Sequence, residues 1–333
     1  MIRLVVIGAG LIGARHIKAV QQNPDCSLVA VVEPDAARAK GLPVPVHARI
    51  EDVTQAVDGA IIASPTPLHP DHVRAAAARG WATLIEKPVA GSLAEADALI
   101  ATVKKARIPT LVGHHRRHHA NVGLLRDIVR GGRIGQSVLA SLIWAMKKPD
   151  SYFEDNWRSG GGGSPVLINL VHDIDLLRYL FGEVSQVSAL GGAPVRKAAR
   201  VESGAVALQF ESGVSATIAF ADTTPSPWGF EAGTGENPNI ARSGQNMLWI
   251  AGTEGGVAYP SLHVWSGAAD WSQAPFSERD GAPATDPLAA QLRHFVDVVE
   301  GRAEPLIDAQ DARATLAVAL QIEEALSLAK DAA

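Results

Sequence analysis

The chain has 333 residues, of which 47% are hydrophobic and 20% are charged, and its formal net charge is -5. A chain of this length is expected to fold as two domains, each with its own core. The acidic balance offers no basic field to nucleic acid or anionic lipid, and no run is long and apolar enough to span a membrane. We therefore expect small-molecule partners, with no nucleic acid and no membrane.

The cysteine content predicts the compartment. Cys26 is the only cysteine, so no disulfide can form within the chain. After Met1 the sequence enters a strand pattern without the apolar stretch and cleavage site of a signal peptide. Both features favour a reducing environment, and we expect a cytoplasmic protein.

Short apolar strands alternate with helical patterns through the first 120 residues. The strands are predicted at residues 2–7, 27–32, 59–63, 82–85 and 109–113, and the helices at residues 13–22, 35–40, 69–79 and 92–107. Repeated β-α-β units with short connections predict a parallel, right-handed, doubly wound sheet. We expect this Rossmann-like domain to occupy residues 1–120.

The pattern changes in the rest of the chain. Strands are predicted at residues 137–146, 184–190, 205–210, 215–221, 247–251 and 257–265, and helices at residues 121–130, 166–181, 288–299 and 309–329. This order predicts a C-terminal α+β domain over residues 121–333 with a large open, mostly antiparallel sheet. A partner subunit usually covers the free face of such a sheet, so we expect a dimer or tetramer.

A glycine-rich turn follows the first predicted strand and opens the first helix. Gly8 permits the tight turn, Gly10 lets the backbone approach a pyrophosphate, and Gly13 allows close packing of helix on strand. Glu33 ends the second strand, where its carboxylate can bind the ribose hydroxyls of NAD and repel the extra phosphate of NADP. NAD is therefore the expected cofactor and NADP is less favoured, although Arg38 lies nearby.

The predicted strand at residues 82–85 ends in a charged pair followed by proline. Pro88 cannot donate to a sheet ladder, so the strand ends with Glu86 and Lys87 at its carboxyl edge. In an open parallel sheet, ligands bind at that edge. The alternative is a surface Glu-Lys-Pro turn without a chemical role.

The predicted helix at residues 166–181 has an apolar stripe on one face and polar residues on another face. Asn169 and His172 lie three residues apart on that face. Polar residues on one face of a helix are usually only exposed to solvent. Here, however, the glycines at positions 161–163 before the helix allow another molecule to approach closely. The pair is therefore a candidate site.

Several motifs together resemble the glucose-fructose oxidoreductase / inositol dehydrogenase / rhizopine catabolism (Gfo/Idh/MocA) family. They are GAGLIG, Glu33, ASPTPLHPDHV, EKP, GHHRRHH, GGGSPVLINLVHDIDLLRYLFGE and the GTEGG turn, in the family's order. The resemblance covers nearly the whole chain. It implies a Rossmann domain, a C-terminal domain with an open sheet, dimers or tetramers, and hydride transfer between NAD(P) and a sugar, sugar acid or polyol.

The resemblance also implies roles for individual residues. The cofactor would be bound by Gly8, Gly10, Leu11, Ile12, Gly13, Glu33, Ser64, Pro65, Thr66, His69, Glu86 and Lys87. The catalytic residues would be Lys87 and His172, and Asn169 is added to them as the nearest polar residue to a family aspartate that this chain lacks. The substrate would be bound by Lys87, His115, Trp157, Arg158, Asn169 and His172. Hydride leaves a carbon more easily as its hydroxyl becomes an alkoxide, so a cation at Lys87 and a base at His172 suit the reaction.

Three of these assignments have alternatives. Either His114 or His115 could face the substrate. Arg117, in the same turn, matches an arginine of the family. The histidines of this turn could also suggest a metal, but adjacent residues point in opposite directions and no carboxylate or cysteine completes a ligand set. His69 could equally be an ordinary polar residue at a helix N-terminus.

One position departs from the family pattern. Many members have an aspartate four residues before the catalytic histidine, whereas this chain has Ile168. The nearest polar group, the Asn169 amide, can orient an imidazole but cannot compensate its positive charge. Asp175, which follows the histidine, is expected to orient the helix.

Two segments of the second domain are candidates for substrate contact or for mobility. Residues 147–158 contain lysine, tyrosine, tryptophan and arginine side chains in a region where the family often lines its pocket. Residues 222–245 form a long stretch rich in Gly, Pro, Ser and Asn, which is typical of a lid, a subunit arm or disorder.

Three functions are compatible with the sequence. The first is an NAD-dependent dehydrogenase that acts on a secondary alcohol of a sugar, sugar acid or inositol-like polyol. The second uses transient oxidation by NAD to drive glycoside cleavage or isomerisation. The third is a non-catalytic NAD-sensing binding protein, against which the presence of both Lys87 and His172 argues.

Overall fold

The computed structural model describes residues 1–154, 163–196, 200–283 and 285–331. The chain forms two units. The first contains Met1–His118 and Thr285–Leu316, and the second contains His119–Ala284 and Ala317–Ala333. The predicted boundary lies near residue 120, with the rest of the chain in one domain. In the structure, Thr285–Leu316 belongs to the first unit.

The first unit contains a six-stranded parallel sheet. Its strands are β1 (Ile2–Ile7), β2 (Cys26–Val32), β3 (Val46–His47), β4 (Gly59–Ile62), β5 (Ala82–Ile85) and β6 (Thr110–Val112). Their spatial order is β3-β2-β1-β4-β5-β6. Strands β4 and β5 are buried along their whole length, as is expected of apolar strands with helices on both faces of the sheet. The order reverses between β1 and β4, and in doubly wound sheets ligands bind at the carboxyl ends of the strands at such a reversal.

The helices of the first unit connect these strands. They are α1 (Leu11–Gln22), α2 (Ala36–Ala39), α3 (His69–Ala78) and α4 (Leu93–Ala106). Ser92 caps the N-terminus of α4 by accepting a hydrogen bond from the Glu95 amide at 3.3 Å.

The second unit contains an eight-stranded mixed sheet. Its strands are β7 (Ser137–Ala145), β8 (Val184–Gly191), β9 (Ser203–Phe210), β10 (Ser215–Ala221), β11 (Leu248–Gly252), β12 (Gly255–Tyr259), β13 (His263–Ser266) and β14 (Phe276–Arg279). They lie in the order β14-β13-β12-β11-β7-β10-β9-β8. Only β10 and β7 pair in parallel among the described strands of this sheet. The predicted two-part fold, with a doubly wound sheet and a mostly antiparallel one, is confirmed.

Helices cover one face of the second sheet. Among the described residues, the helices of the second unit are α5 (Ala120–Arg130), α6 (Val171–Phe181) and α7 (Phe230–Thr234), whereas α8 (Pro287–Val299) belongs to the first unit and α9 (Ala309–Asp331) begins in the first unit and ends in the second. All residues of α6 are buried, and the ring of Phe181 packs 5.4 Å from the ring of Phe210 in β9. The free face carries exposed small and apolar side chains. They include Leu139, Leu190, Ala205, Ala207, Ala219 and Trp249.

Two predicted elements differ in the structure. The single strand predicted at residues 257–265 is wrong, because Pro260 cannot donate to a ladder and the chain reverses there to pair β12 with β13. The helix predicted at residues 166–181 begins as a π-helix over Val166–Leu170 and becomes α-helical only in α6. Among the described residues, no helix combines the length and apolarity needed to cross a membrane.

Candidate active site

The glycine-rich turn between β1 and α1 has the geometry that a dinucleotide requires. Gly8 has a φ of 95°, and a Cβ atom on it would lie 2.7 Å from the carbonyl oxygen of Ala63. A Cβ atom on Gly13 would lie 2.0 Å from the carbonyl oxygen of Gly8. Neither position accepts a side chain. At Gly10 no atom of the described residues lies within 4 Å of an added Cβ, so a phosphate can approach the helix N-terminus.

Glu33 lies beside this turn at the end of β2 and is buried. Its carboxylate accepts hydrogen bonds from the Ala9 amide at 2.8 Å and from the Asp35 amide at 2.9 Å. The two amides hold a negative group at the rim of the glycine turn, where the ribose of a dinucleotide is bound. Leu11, in the first turn of α1, is 81% exposed, while Ile12 is half-buried.

The segment after β4 lies at the carboxyl edge of the sheet, next to the glycine turn that follows β1. Pro65 precedes a 3₁₀ turn that starts at Thr66 and leads into α3. The ring nitrogens of the buried His69 lie 2.9 Å from the carbonyl oxygen of Ser64 and 3.1 Å from that of Pro88. Burial lowers the pKa of the His69 imidazole below its ordinary value. His69 therefore joins two loops of the edge and is more than a helix-terminal polar group.

Lys87 follows β5 at the carboxyl edge of the parallel sheet. Its side chain is half-buried, and its backbone amide donates to Oε2 of Glu86 at 3.2 Å. Burial alone would raise the pKa of the Glu86 carboxyl, but the hydrogen bond and charge of His16, with the charges of Lys87 and His115, lower it to about 2. The Glu-Lys-Pro segment is not an exposed turn, since Glu86 is buried and Lys87 is half-buried.

The histidine-rich turn after β6 separates into buried and half-buried residues. His114 is buried and His115 is half-buried, and the charge of His115 contributes to the low pKa of Glu86. Arg117 is buried and pairs with Asp311 at 2.6 Å, which anchors the returning C-terminal segment. Within the described ranges, no three His, Cys, Asp or Glu side chains are grouped to hold a metal ion.

Asn169 and His172 belong to the second unit. His172 is buried at the start of α6, which excludes a solvated polar face at that position. Asn169 lies in the π-helical turn, and its buried Oδ1 has no hydrogen-bond partner among the residues that the structure describes. π-Helical turns are frequent at functional sites, and a buried acceptor without a donor suits a ligand hydroxyl. Asp175 is also buried, on the same helix.

Two of the predicted substrate contacts, Trp157 and Arg158, lie outside the described residues. In the same region, the ammonium group of Lys148 lies 4.9 Å from the ring centre of Tyr152. The long segment at residues 222–245 contains α7, whose Phe230 is fully buried, so this part is anchored to the second unit.

His16 is a residue of the first unit that the sequence analysis did not single out. It is buried on α1, and its Nε2 lies 2.7 Å from Oε1 of Glu86. The signal was present in the helix pattern, because Gly13, His16, Ile17 and Val20 form one buried stripe. A histidine in such a stripe needs a polar partner.

The residues of the first unit fit a nicotinamide dinucleotide. The side-chain-free approach at Gly10 would admit the pyrophosphate, and the carboxylate of Glu33 would bind the adenosine ribose. Lys87 lies on the same edge of the sheet, two strands from β1.

Comparisons with known proteins agree with this geometry. The chain is 28% identical to an inositol 2-dehydrogenase of Rhizobium meliloti (strain 1021), over 96% of this chain and 94% of that protein. It is 31% identical to a myo-inositol 2-dehydrogenase of Thermotoga maritima, over 65% of this chain and 67% of that protein. The fold matches an oxidoreductase from Agrobacterium radiobacter solved with NAD+, L-tartaric acid and magnesium, with a TM-score of 0.81, 17% identity and coverage of 98% and 96%.

Family models cover most of the chain. Residues 2–114 match the NAD-binding Rossmann fold of the GFO_IDH_MocA oxidoreductase family, and residues 122–258 match a C-terminal domain of the same family. The predicted family, enzyme class and cofactor are therefore confirmed. The chain belongs to the Gfo/Idh/MocA family of NAD-binding oxidoreductases.

Proposed function

We propose that the protein transfers hydride between NAD and a secondary alcohol of a sugar, a sugar acid or a cyclic polyol. The observation that carries this proposal is the placement of Lys87 at the carboxyl edge of the parallel sheet that also carries the glycine turn and Glu33. The inositol dehydrogenases among its relatives support the substrate class.

Lys87 is proposed to stabilise the oxygen of the reacting alcohol. NAD supplies the hydride acceptor when it is bound. The protein must then favour the charge that develops as the hydroxyl loses its proton, and an ammonium group in a partly buried position does so more strongly than in water. The half-burial of Lys87 and the fixed backbone beneath it suit this role.

His172 is proposed to accept the hydroxyl proton, and Asn169 to orient the substrate. An imidazole is the side chain best matched to proton transfer near neutral pH. The Oδ1 of Asn169, which has no hydrogen-bond partner within the described part of the chain, would accept a hydrogen bond from a second substrate hydroxyl. Ile168 provides no charge to support the imidazole, so the proton must be passed on without a carboxylate at that position.

A substrate panel tests the proposal. The purified protein is incubated with NAD and a series of cyclic polyols, sugars and sugar acids, and NADH is followed by its absorbance. At least one alcohol should reduce NAD in proportion to protein concentration. Cleavage of a glycoside, with no alcohol in the panel reducing NAD, would instead support a mechanism of transient oxidation. Binding of NAD without either reaction would support a sensor.

Glu33 should determine the choice of cofactor. Its carboxylate would face the 2′-phosphate of NADP, and such like-charge contacts cost several kcal/mol, so NAD should bind at least about 100-fold more tightly. Glu33→Ser should narrow this ratio by about tenfold, while it also weakens NAD because the ribose contact is lost. Titration of both cofactors by tryptophan fluorescence measures the ratio.

The exposed residue Glu51 supplies the control for charge. Glu51→Ser removes one negative charge from the same unit and should leave the ratio unchanged. A parent protein that prefers NADP would show that Glu33 does not have the assigned role.

The free face of the second sheet should be buried between subunits. Ala207 and Ala219 are exposed on that face, where Leu190 is 69% exposed. Light scattering at micromolar concentration should report a dimer or tetramer. Ala207→Arg should shift the population to monomers, because a buried interface cannot solvate the guanidinium, whereas Ala101→Arg on the exposed side of α4 should not. A monomeric parent protein would refute this assembly.

We also propose a reducing, cytoplasmic setting. Cys26 is buried, and this burial, with the nearby charge of Asp25, raises the pKa of its thiol to about 11. The thiol therefore keeps its proton at neutral pH and reacts slowly.

A further inference from the structure

A buried hydrogen bond between His16 and Glu86 connects the cofactor-binding helix to the strand end that carries Lys87. His16 is 1% exposed and Glu86 is 6% exposed, and Nε2 of His16 lies 2.7 Å from Oε1 of Glu86. The low pKa of Glu86 keeps its carboxylate ionised, so the Nε2–H group of His16 donates the hydrogen bond. Nδ1 of His16 has no partner among the described residues, so this contact is the one directional interaction of the ring.

The carboxylate of Glu86 transmits this contact to Lys87. Its second oxygen, Oε2, accepts from the Lys87 amide at 3.2 Å. Gly113 lies against it so closely that an added Cβ atom would be 3.2 Å from the carboxyl carbon. The side chain therefore has little freedom, and its two oxygens join α1 to the backbone of Lys87.

His69 holds the same turn from the opposite direction. Its Nδ1 lies 3.1 Å from the carbonyl oxygen of Pro88 and 3.3 Å from that of Val89. The residues immediately before and after Lys87 are thus each fixed by a buried histidine, one on α1 and one on α3.

Stability alone does not explain this arrangement. Burying a carboxylate and an imidazole costs solvation, and apolar residues of similar volume often replace a buried pair without loss of stability. What the pair provides is a fixed position. A displacement of about 1 Å at a reacting group can cost about 10²-fold in rate, so the position of Lys87 is worth fixing.

We propose that His16 is a positioning residue, which holds Glu86 from the cofactor-binding helix and thereby sets the location of the Lys87 ammonium group. The inference rests on the proposed role of Lys87. In this proposal, the contact from α1 through Glu86 fixes the position of the Lys87 charge at the end of β5.

Three substitutions of His16 and one matched control test the link. His16→Leu removes the donor, and His16→Asn keeps an amide that is too short to reach Oε1, while His16→Gln can place its Nε2 close to that of the histidine. Val20→Ala removes packing from the same buried stripe of α1 without touching Glu86. Thermal unfolding establishes that each variant is folded.

The Leu and Asn variants should lower kcat by about 10- to 100-fold, with a smaller change in KM and in NAD affinity. His16→Gln should restore most of the parent kcat, and Val20→Ala should lose stability but not kcat. Equal kcat in His16→Leu and Val20→Ala would overturn the proposal.

The pH profile gives a second reading. His16, Lys87, His115 and His69 are the charged or titratable groups whose charges act on Glu86 or are affected by it. Without His16, its hydrogen bond and charge no longer lower the pKa of Glu86, so this pKa should rise and an acid limb should enter the kcat profile as protonation removes the acceptor for the Lys87 amide. A profile in His16→Leu that matches the parent would count against the link.

A third reading does not depend on turnover. The rate at which an amine-acylating reagent modifies Lys87 in the cofactor-free protein is measured by mass spectrometry. It should change severalfold in His16→Leu and His16→Asn and return to the parent value in His16→Gln. If the parent protein reduces no NAD, the proposed function fails, and this labelling rate still decides the role of His16; an unchanged rate overturns it.

Discussion

Replacing Lys87 with methionine is expected to lower kcat by about 10² to 10³-fold while leaving NAD affinity nearly unchanged. Methionine keeps much of the length and the apolar stem of lysine and deletes the charge. Loss of one group that stabilises a developing charge commonly has an effect of this size. Steady-state kinetics with the best alcohol of the panel gives kcat, and fluorescence titration gives the dissociation constant of NAD.

Lys105 provides the matched control, since it is exposed on α4 and far along the chain from the strand end. Lys105→Met should have the kcat of the parent. A Lys87→Met enzyme with a kcat within about threefold of the parent would show that the ammonium does not stabilise the transition state.

Replacing His172 with alanine is the second change with a large expected effect. A positioned general base contributes about 10² to 10⁴-fold to the rate, so kcat should fall within that range. The pH dependence of kcat should weaken as well, because the group that accepts the proton is absent. NAD binding should be spared, since the glycine turn and Glu33 belong to the first unit.

Two comparisons make the His172 result specific. His263→Gln alters a histidine on β13 of the same unit and should retain the parent kcat and its pH profile. If His172→Ala lowers kcat but keeps the parent pH profile, His172 orients the substrate and another group accepts the proton.

Local sequence patterns predicted most of the fold. The bounds of β1, β5 and β10 agree with the predictions, because apolar runs bounded by glycine, proline or polar turns leave little choice of register. The glycine turn and Glu33 were also visible, since a dinucleotide site places its defining residues in one β-α-β unit.

The sequence did not predict features that depend on contacts between distant parts of the chain. The return of Thr285–Leu316 to the first unit rests on pairs such as Arg117 with Asp311, which no local period reveals. The short edge strands β3 and β14 form by pairing with β2 and β13, and their sequences alone carry no strand signal. The π-helical turn at Val166–Leu170 contains one residue more than an α-helical turn, which rotates the following residues about the helix axis. The spacing of apolar positions in the sequence does not reveal this.

The candidate site divides in the same way. The types and chain positions of Lys87, Asn169 and His172 identified them as candidates, but burial decided between the alternatives for Glu86 and His172. The partner of Glu86 was missed, since His16 and Glu86 are 70 residues apart. The sequence pattern identified Lys87 as the charged residue, whereas the residues that hold its backbone in place are visible only in the fold.

Direct transfer of hydrogen to the cofactor tests the central claim most closely. An alcohol from the panel that carries deuterium on its carbinol carbon is incubated with NAD and either the parent protein or Lys87→Met, and the reduced cofactor is analysed by mass spectrometry. The account predicts NADH that contains one deuterium with the parent protein, formed about 10² to 10³-fold more slowly with Lys87→Met. Reduced cofactor without deuterium, or the same rate of transfer in both proteins, would contradict it.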